Sequence, residues 1–418
     1  MGKWPALTYE TLPWEPSSQG SKADRTFRRY GASIPATISE LEWRSSAETA
    51  TVTEAAVAAI VRLDATAGQV LAPLSGFLLR NEAESSSKIE HVQSTPLALA
   101  RATLGIRSSE AAISTLAAAA AIEDLISVGE ETNPADPSNL NHAHAILMRP
   151  DPLNRKFSEE LRDQQNWIGG SDYTPRGALF VPPAPGRVAT LMADLHDFCE
   201  RKDLPALAQA AIAHAQFETI HPYTDGNGRI GRALLNAVLR YRGVTTAAIV
   251  PIASAFMASR DVYFALLGAY RNGEADLFVD YIARCALSAC RAASESATTL
   301  AGLPGQWRDA VNPRSGSAAL KLIDSLLGQP LLTAGLAAER ANCTPQAAYN
   351  AIAKLEEAGV LRNIGKGSRG QAWAAGDVLD ETETLIERIN ESSADLLNPL
   401  ARSYISHQQA QANSPADS

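Results

Sequence analysis

The chain has 418 residues, 45% of them hydrophobic and 20% charged, with a formal net charge of −9. That length supports two or three domains with complete cores, and the balance is that of a soluble globular protein. The negative charge excludes a chain that coats nucleic acid non-specifically, while leaving room for a local basic patch. The opening MGKWPALTYE has no apolar run of signal-peptide type, and Ala6 breaks the myristoylation pattern of Met1-Gly2. Four cysteines (Cys199, Cys285, Cys290, Cys343) lack metal-type spacing, which points to a thiol-reduced, cytoplasmic protein.

Residues 1 to about 45 are rich in Pro, Ser and Trp with weak periodicity and read as irregular structure. From about 47 to 128, "EAAVAAIVRLDATA" and "APLSGFLLRNEAESSSKIEHV" repeat apolar residues every three or four positions, predicting helices. The run "STLAAAAAIEDLISV" is interrupted by Glu123 and Asp124 and reads as too short to span a bilayer, so no membrane association is expected. "ETNPADPSN" (131–139) reads as a linker. A helix through "LNHAHAILM" follows. "QNWIGGSDYTPRGALFVPPAP" then carries two short apolar runs that predict a small β-hairpin over Gln165 to Pro182. Its exposed edge offers main-chain pairing to a passing peptide, although a purely structural ribbon explains it equally well.

Helices through "GRVATLMADLHDFCER" and "LPALAQAAIAHAQFETI" lead into HPYTDGNGRIGR, residues 221–232. Beyond it Ile230, Leu234, Val238 and Leu239 keep a four-residue spacing, so the motif is a loop between helices. "AGLPGQWRDAVNPRSG" (301–316) reads as a second linker. Three further helices and a basic two-stranded hairpin, "VLRNIGKGSRGQAWAA", come next, then a polar tail.

The motif is legible as an anion site. Gly226, Gly228 and Gly231 match G-x-G-x-x-G, but no strand precedes them and "YRGVTTAAIV" supplies no acid, so a dinucleotide fold is excluded. "GVLRNIGKGS" likewise fails the P-loop spacing. Gly226-Asn227-Gly228 opens a helix whose first N–H groups lack partners. Arg229 and Arg232 share one face of its first turn, each able to fork onto phosphate oxygens. Asp225 offers a hard oxygen to Mg²⁺. His221 can take a proton near neutral pH. A turn with incidental charge would explain the glycines but not His, Asp and the arginine pair together.

This motif resembles the signature of the Fic (filamentation-induced-by-cAMP) family, H-P-F-x-D/E-G-N-G-R-x-x-R, with Tyr223 in place of Phe. The similarity extends through "AHAQFETI", "FVPPAPGRVATLM" and "QNWIGG". It implies a mainly α fold: a Fic helical core with a small β-hairpin flap, and an enzyme moving AMP from ATP to a hydroxyl of a target protein. His221 would be the base. Asp225 would hold Mg²⁺, and Gly226, Asn227 and Gly228 would form the anion hole. Arg229, Ile230, Gly231 and Arg232 would complete the nucleotide site, with the arginines on the β- and γ-phosphates. Tyr263 in "RDVYFALL" best matches a tyrosine that borders the nucleotide base.

Ser86 and Glu90 in "ESSSKIEHV" fit the family's inhibitory [S/T]-x-x-x-E-[G/N] helix, with His91 at the Gly/Asn position. Lying before the core, they imply the subgroup with an N-terminal inhibitory helix, in which Glu90 occupies the Arg232 guanidinium meant for the γ-phosphate. The C-terminal helices and hairpin resemble a winged helix-turn-helix, with Thr344 as N-cap and Pro345 at the first turn of its second helix. Thr344, Gln346, Tyr349, Asn350 and Lys354 would face a groove, and Arg362, Lys366 and Arg369 would decorate the wing. The expected organisation is an N-terminal helical region (1–130), the core (131–300), the winged helix (317–385) and a tail (386–418). DNA contact, a homodimer, and removal rather than addition of AMP stay open.

Overall fold

The computed structural model describes residues 4–15, 18–151, 155–365 and 371–412. Along the chain the first elements are β1 (Thr8–Pro13), α1 (Lys22–Thr26), β2 (Arg29–Ile34), α2 (Ala47–Ala65), α3 (Pro73–Ile89), α4 (Pro96–Thr103) and α5 (Glu110–Val128). They are followed by α6 (Pro137–Met148), α7 (Pro185–Glu200), α8 (Ala206–Ile220), α9 (Asn227–Tyr241), α10 (Ile252–Ala258), α11 (Arg260–Arg271) and α12 (Ala275–Val311). The remainder is α13 (Ala318–Leu326), β3 (Leu331–Thr333), α14 (Ala334–Ala341), α15 (Pro345–Glu357), β4 (Leu361–Asn363), β5 (Ala372–Ala375) and α16 (Gly376–Ala412).

Two compact units arise, each discontinuous in sequence. Met1–Glu54, Ala120–Val244 and Asp261–Ala283 form one, and Ala55–Ala119, Thr245–Arg260 and Arg284–Ser418 form the other.

In the first unit α8 is the central rod. From Leu207 to Ile220 every residue is buried, because alanines and small apolar residues dominate it and polar side chains such as Gln209, His214 and Thr219 bond inside the protein. α9 packs on it, and Gly231 sets how closely. A Cβ there would lie 2.5 Å from Glu218 Oε1 and 3.0 Å from the Phe217 ring. The N-terminal segment, expected to be irregular, instead forms the antiparallel ribbon β1–β2, in register from Thr8↔Ile34 to Pro13↔Arg29. Its alternating side chains are mostly exposed, which hides a strand from hydrophobic-period reading.

The second unit packs α3 on α10 and α10 on α16. Asp64 at the end of α2 accepts from the backbone N–H of Thr246, Ala247 and Ala248 at 2.7–2.9 Å. This ties the approach to α10 onto α2. α13, α14 and α15 pack on one another, and the sheet order is β3-β5-β4. The expected two-stranded hairpin therefore gains a third strand, with Leu331 paired to Ala374. Three residues are too few to show an alternation in sequence.

Two further expectations give way. The proposed linker at 301–316 lies largely inside α12, which continues through Pro304 to Val311. Glu123 and Asp124 do not interrupt α5, since charged residues are compatible with a helix. By length and composition alone α5 meets the requirement for a bilayer span, with 39% of the apolar window buried.

Candidate active site

The loop between α8 and α9 begins with a reversal. His221 caps α8 in the left-handed region (φ 51°, ψ 62°), its N–H donating to the Phe217 carbonyl. Gly226 (φ 79°) caps the start of α9. A Cβ on Gly226 would meet Leu147 Cδ2 at 2.9 Å, so both conformation and contact require glycine. Between them Tyr223 is fully buried and stacks on His144 at 3.9 Å and 6°. Its hydroxyl donates to Asn141 Oδ1 at 2.9 Å. The tyrosine thus keeps the apolar anchor and satisfies its one extra polar atom.

Asn227 closes the loop from within. Its Oδ1 accepts from Tyr223 N at 2.8 Å and its Nδ2 donates to Tyr223 O at 2.7 Å, which fixes the amide's orientation. The same Nδ2 lies 3.2 Å from His221 Nδ1. Asn166 Nδ2, from the flap segment, is nearer at 2.9 Å and also donates to Tyr223 O at 3.0 Å. An amide nitrogen only donates, so Nδ1 is the acceptor and the neutral ring carries its proton on Nε2.

A buried arginine holds this geometry. Arg162 donates through Nε to His221 O at 2.8 Å, through Nη2 to Pro183 O at 2.6 Å, and through Nη1 to Gln164 O at 3.2 Å. Its own N–H donates to Pro222 O at 2.9 Å. Burial pulls the guanidinium down to about 10, still charged at neutral pH. It therefore sits as a fixed cation against the carbonyl end of α8, where the helix dipole favours it.

The first turn of α9 is held from two sides. Burial lowers His144 to about 4, and its Nε2 lies 3.0 Å from the Asp225 carbonyl. The neutral ring donates there. Burial lowers His214 to about 3; its Nδ1 lies 2.8 Å from Gly231 O and its Nε2 3.1 Å from the Tyr263 hydroxyl. Tyr263 is fully buried, so the structure places it beneath α9 rather than on an open face. Arg229, Ile230 and Arg232 are buried as well.

Asp225 is exposed along with Thr224, the aspartate side chain being 49% accessible. One oxygen accepts from Gly226 N at 2.6 Å and the other lies 3.7 Å from Arg229 Nη2. Among the described residues no three His, Cys, Asp or Glu side chains form a metal cage. A single accessible carboxylate beside an anion site nevertheless suits Mg²⁺, which takes few protein ligands and completes its shell with phosphates and water.

Over the loop lies the flap. The expected hairpin is reduced to one bridge, Ile168↔Phe180, because left-handed Gly169, Gly170 and Gly177 turn the chain away from continuous pairing. It is braced by the N-terminal ribbon: Trp14 meets Trp167 edge-on at 5.5 Å and Tyr30 donates to Gln165 Oε1 at 3.2 Å. Asp24 accepts from Thr174 Oγ1 at 3.0 Å and Arg176 Nε at 3.1 Å. Leu179, beside the bridge, is 86% exposed.

Residues 134–239 match the model of the Fic/DOC family. That stretch, about a quarter of the chain, is similar to the Fic/DOC family. The protein adenylyltransferase Fic of Drosophila willistoni is 32% identical over 143 residues, 34% of this chain and 25% of its own length. A probable protein adenylyltransferase of Aquifex aeolicus is 40% identical over 79 residues, 19% of this chain and 25% of its own length. The chain thus spans about a quarter of the length of these curated relatives. A Fic family protein from Desulfovibrio desulfuricans G20 superposes with a TM-score of 0.52 over 80% of this chain and 97% of its own, at 21% identity, a likeness of fold.

The residues expected at the site, His221, Asp225 and Asn227 to Arg232, lie together on the loop between α8 and α9 and the first turns of α9. Ser86 and Glu90 belong to the other compact unit. There Ser86 is buried in α3 and Glu90 is its C-cap residue. His91 has φ 61°, a conformation for which Gly or Asn is favoured. Asn166, Arg162, His144 and His214 were not singled out in the sequence. The available signal was a polar residue inside an otherwise apolar segment, as with His214 among the alanines of α8.

Proposed function

We propose that the protein is an adenylyltransferase that moves AMP from ATP to a Ser, Thr or Tyr hydroxyl of a target protein and of itself. The observation that carries this reading is His221 held at the end of α8 against Asn227 at the opening of α9. A proton acceptor thus stands beside a helix N-terminus suited to phosphate. The hydroxyl oxygen attacks the α-phosphorus, its proton passes to His221, and the bond to the β-phosphate oxygen breaks to release pyrophosphate. Backbone N–H groups at Asn227 and Gly228 would border the phosphate oxygens, with the Asn227 side chain holding the loop in shape, while Arg229 and Arg232 would take the departing charge. Mg²⁺, when bound, would be held by Asp225 with the phosphate oxygens and would offset their charge. The open edge of the flap and the exposed Leu179 offer a target segment main-chain pairing and an apolar contact.

Glu90 is our candidate inhibitor, competing with the γ-phosphate for Arg232. Incubation with ATP and Mg²⁺, followed by intact-mass measurement, tests the whole reading. An AMP adduct that His221→Ala lacks supports it. Absence of any adduct on the wild-type protein, the Glu90→Gly variant and added lysate proteins refutes it.

A second reading, a nucleotide-sensing DNA-binding regulator, is favoured by one observation. α13, β3, α14, α15, β4 and β5 follow the order of a winged helix, and Thr344 Oγ1 caps α15 by accepting from Ala347 N at 3.3 Å. Tyr349 is 44% exposed and Lys354 is exposed. Arg362, expected on the wing, is instead paired with Asp380, and Lys366 and Arg369 lie outside the described residues. A mobility shift that weakens with salt and with Lys354→Ala would favour DNA contact. A third possibility is removal of AMP by the same site, with Glu90 participating.

A further inference from the structure

The second unit contains a cavity of about 300 Å³ between α3, α4, α14 and α16. Leu99 and Leu104, Leu331 and Leu336, and Leu379 line it. Behind it Ala100, Leu331 and Ile364 join a buried apolar cluster, so the walls are backed by packed side chains. Its size lies at the lower end of the range for small-molecule sites.

Three charged side chains reach this apolar space: Arg80, Glu84 and Arg340. Two are already engaged. Glu84 forms an ion pair with Lys88 at 2.8 Å, and Arg340 Nη1 donates to Gln329 O at 2.8 Å. Arg80 differs. Its Nη2 is buried with no hydrogen-bond acceptor among the described residues, and burial pulls the guanidinium down to about 10. Arg80 is half-buried and has no ion pair among the described residues, so its shielded Nη2 is a donor that an incoming anion would satisfy.

We propose that this cavity is a binding site for a hydrophobic monocarboxylate, with its chain against the leucines and its carboxylate on Arg80. One under-satisfied guanidinium matches one negative charge. The acidic Glu84 and the leucine walls disfavour a phosphate dianion. The proposal does not depend on the transferase reading.

Calorimetric titration of the full chain with octanoate and with its uncharged methyl ester tests it. Octanoate is expected to bind and raise the melting temperature, with the ester at least tenfold weaker. Arg80→Met should erase that tenfold preference. Leu336→Trp, which fills the cavity and leaves Arg80 intact, should abolish binding of both and keeps the test open if Arg80→Met fails to fold. Equal binding of acid and ester, no binding of either at millimolar concentration, or octanoate binding undiminished by Leu336→Trp would overturn the proposal.

Discussion

Asn166 Nδ2 stands 2.9 Å from His221 Nδ1, and it makes Nδ1 an acceptor and Nε2 the protonated atom of the neutral ring. For Nε2 to take a proton from a hydroxyl, the ring must first carry its hydrogen on Nδ1. Asn227 cannot turn, being held at both ends by Tyr223. Asn166 can, because its Oδ1 is buried without a hydrogen-bond partner among the described residues and would accept from Nδ1–H once rotation of the amide gives up its bond to Tyr223 O. Asn166→Asp supplies a permanent acceptor there and raises the histidine's pKa. A base works only when deprotonated, so the rising limb of the pH–rate profile should move to higher pH by about one unit. A limb that stays in place would show that Asn166 does not govern the ring.

His221→Ala should lower AMP transfer by roughly 10²- to 10⁴-fold while ATP binding persists, since the α9 donors remain. The left-handed backbone at 221 costs alanine only about 1–2 kcal/mol, so circular dichroism should be unchanged. An undiminished initial rate would sink the assignment.

Glu90→Gly should raise self-modification tenfold or more, a charge-assisted bond being worth about 1.5–3 kcal/mol. Ser86→Ala should give a smaller rise by loosening α3. Arg232→Ala should give none, because the phosphate contact is lost as well. If Glu90→Gly leaves the rate unchanged while His221 remains essential, inhibition by Glu90 is wrong.

Asp64 yields a pH prediction. Burial raises its carboxyl pKa, but the N–H groups of Ala248, Ala247 and Thr246 outweigh that and hold it below the ordinary value. A depressed folded pKa gives stability that is complete above the unfolded value near 3.9 and lost as pH falls through the folded one. The melting temperature should therefore hold down to about pH 5, then drop below about pH 4. Asp64→Ala should cost about 3 kcal/mol at neutral pH, with buried donors left unpaired, and should flatten the acid slope. A variant as stable as the parent would refute this.

The loop between α8 and α9 was legible because its chemistry is local: twelve consecutive residues hold the histidine, the aspartate, the glycines and the arginines. α8 and α9 were legible from their apolar spacing. Arg162 and Asn166 were not, since their meaning lies in carbonyls and a ring nitrogen that only the folded chain brings near. β1 escaped because its side chains are largely exposed, β2 because its buried residues, Ala32 and Ser33, are adjacent rather than alternating, and α12 because Pro304 looked like a terminus while packing carries the helix past it.

The ribbon at the start of the chain has a consequence for transplantation. Trp14, Asp24 and Tyr30 steady the flap, and Tyr263 steadies His214 under α9, yet all four lie outside the stretch that matches the family model, 134–239. A fragment cut to that stretch would carry every reacting group and lose the struts on either side. Grafted into another protein, it would need replacements for them before its histidine faced the same amides. The heritable object is the braced loop, and its blueprint is scattered from the first strand to α11.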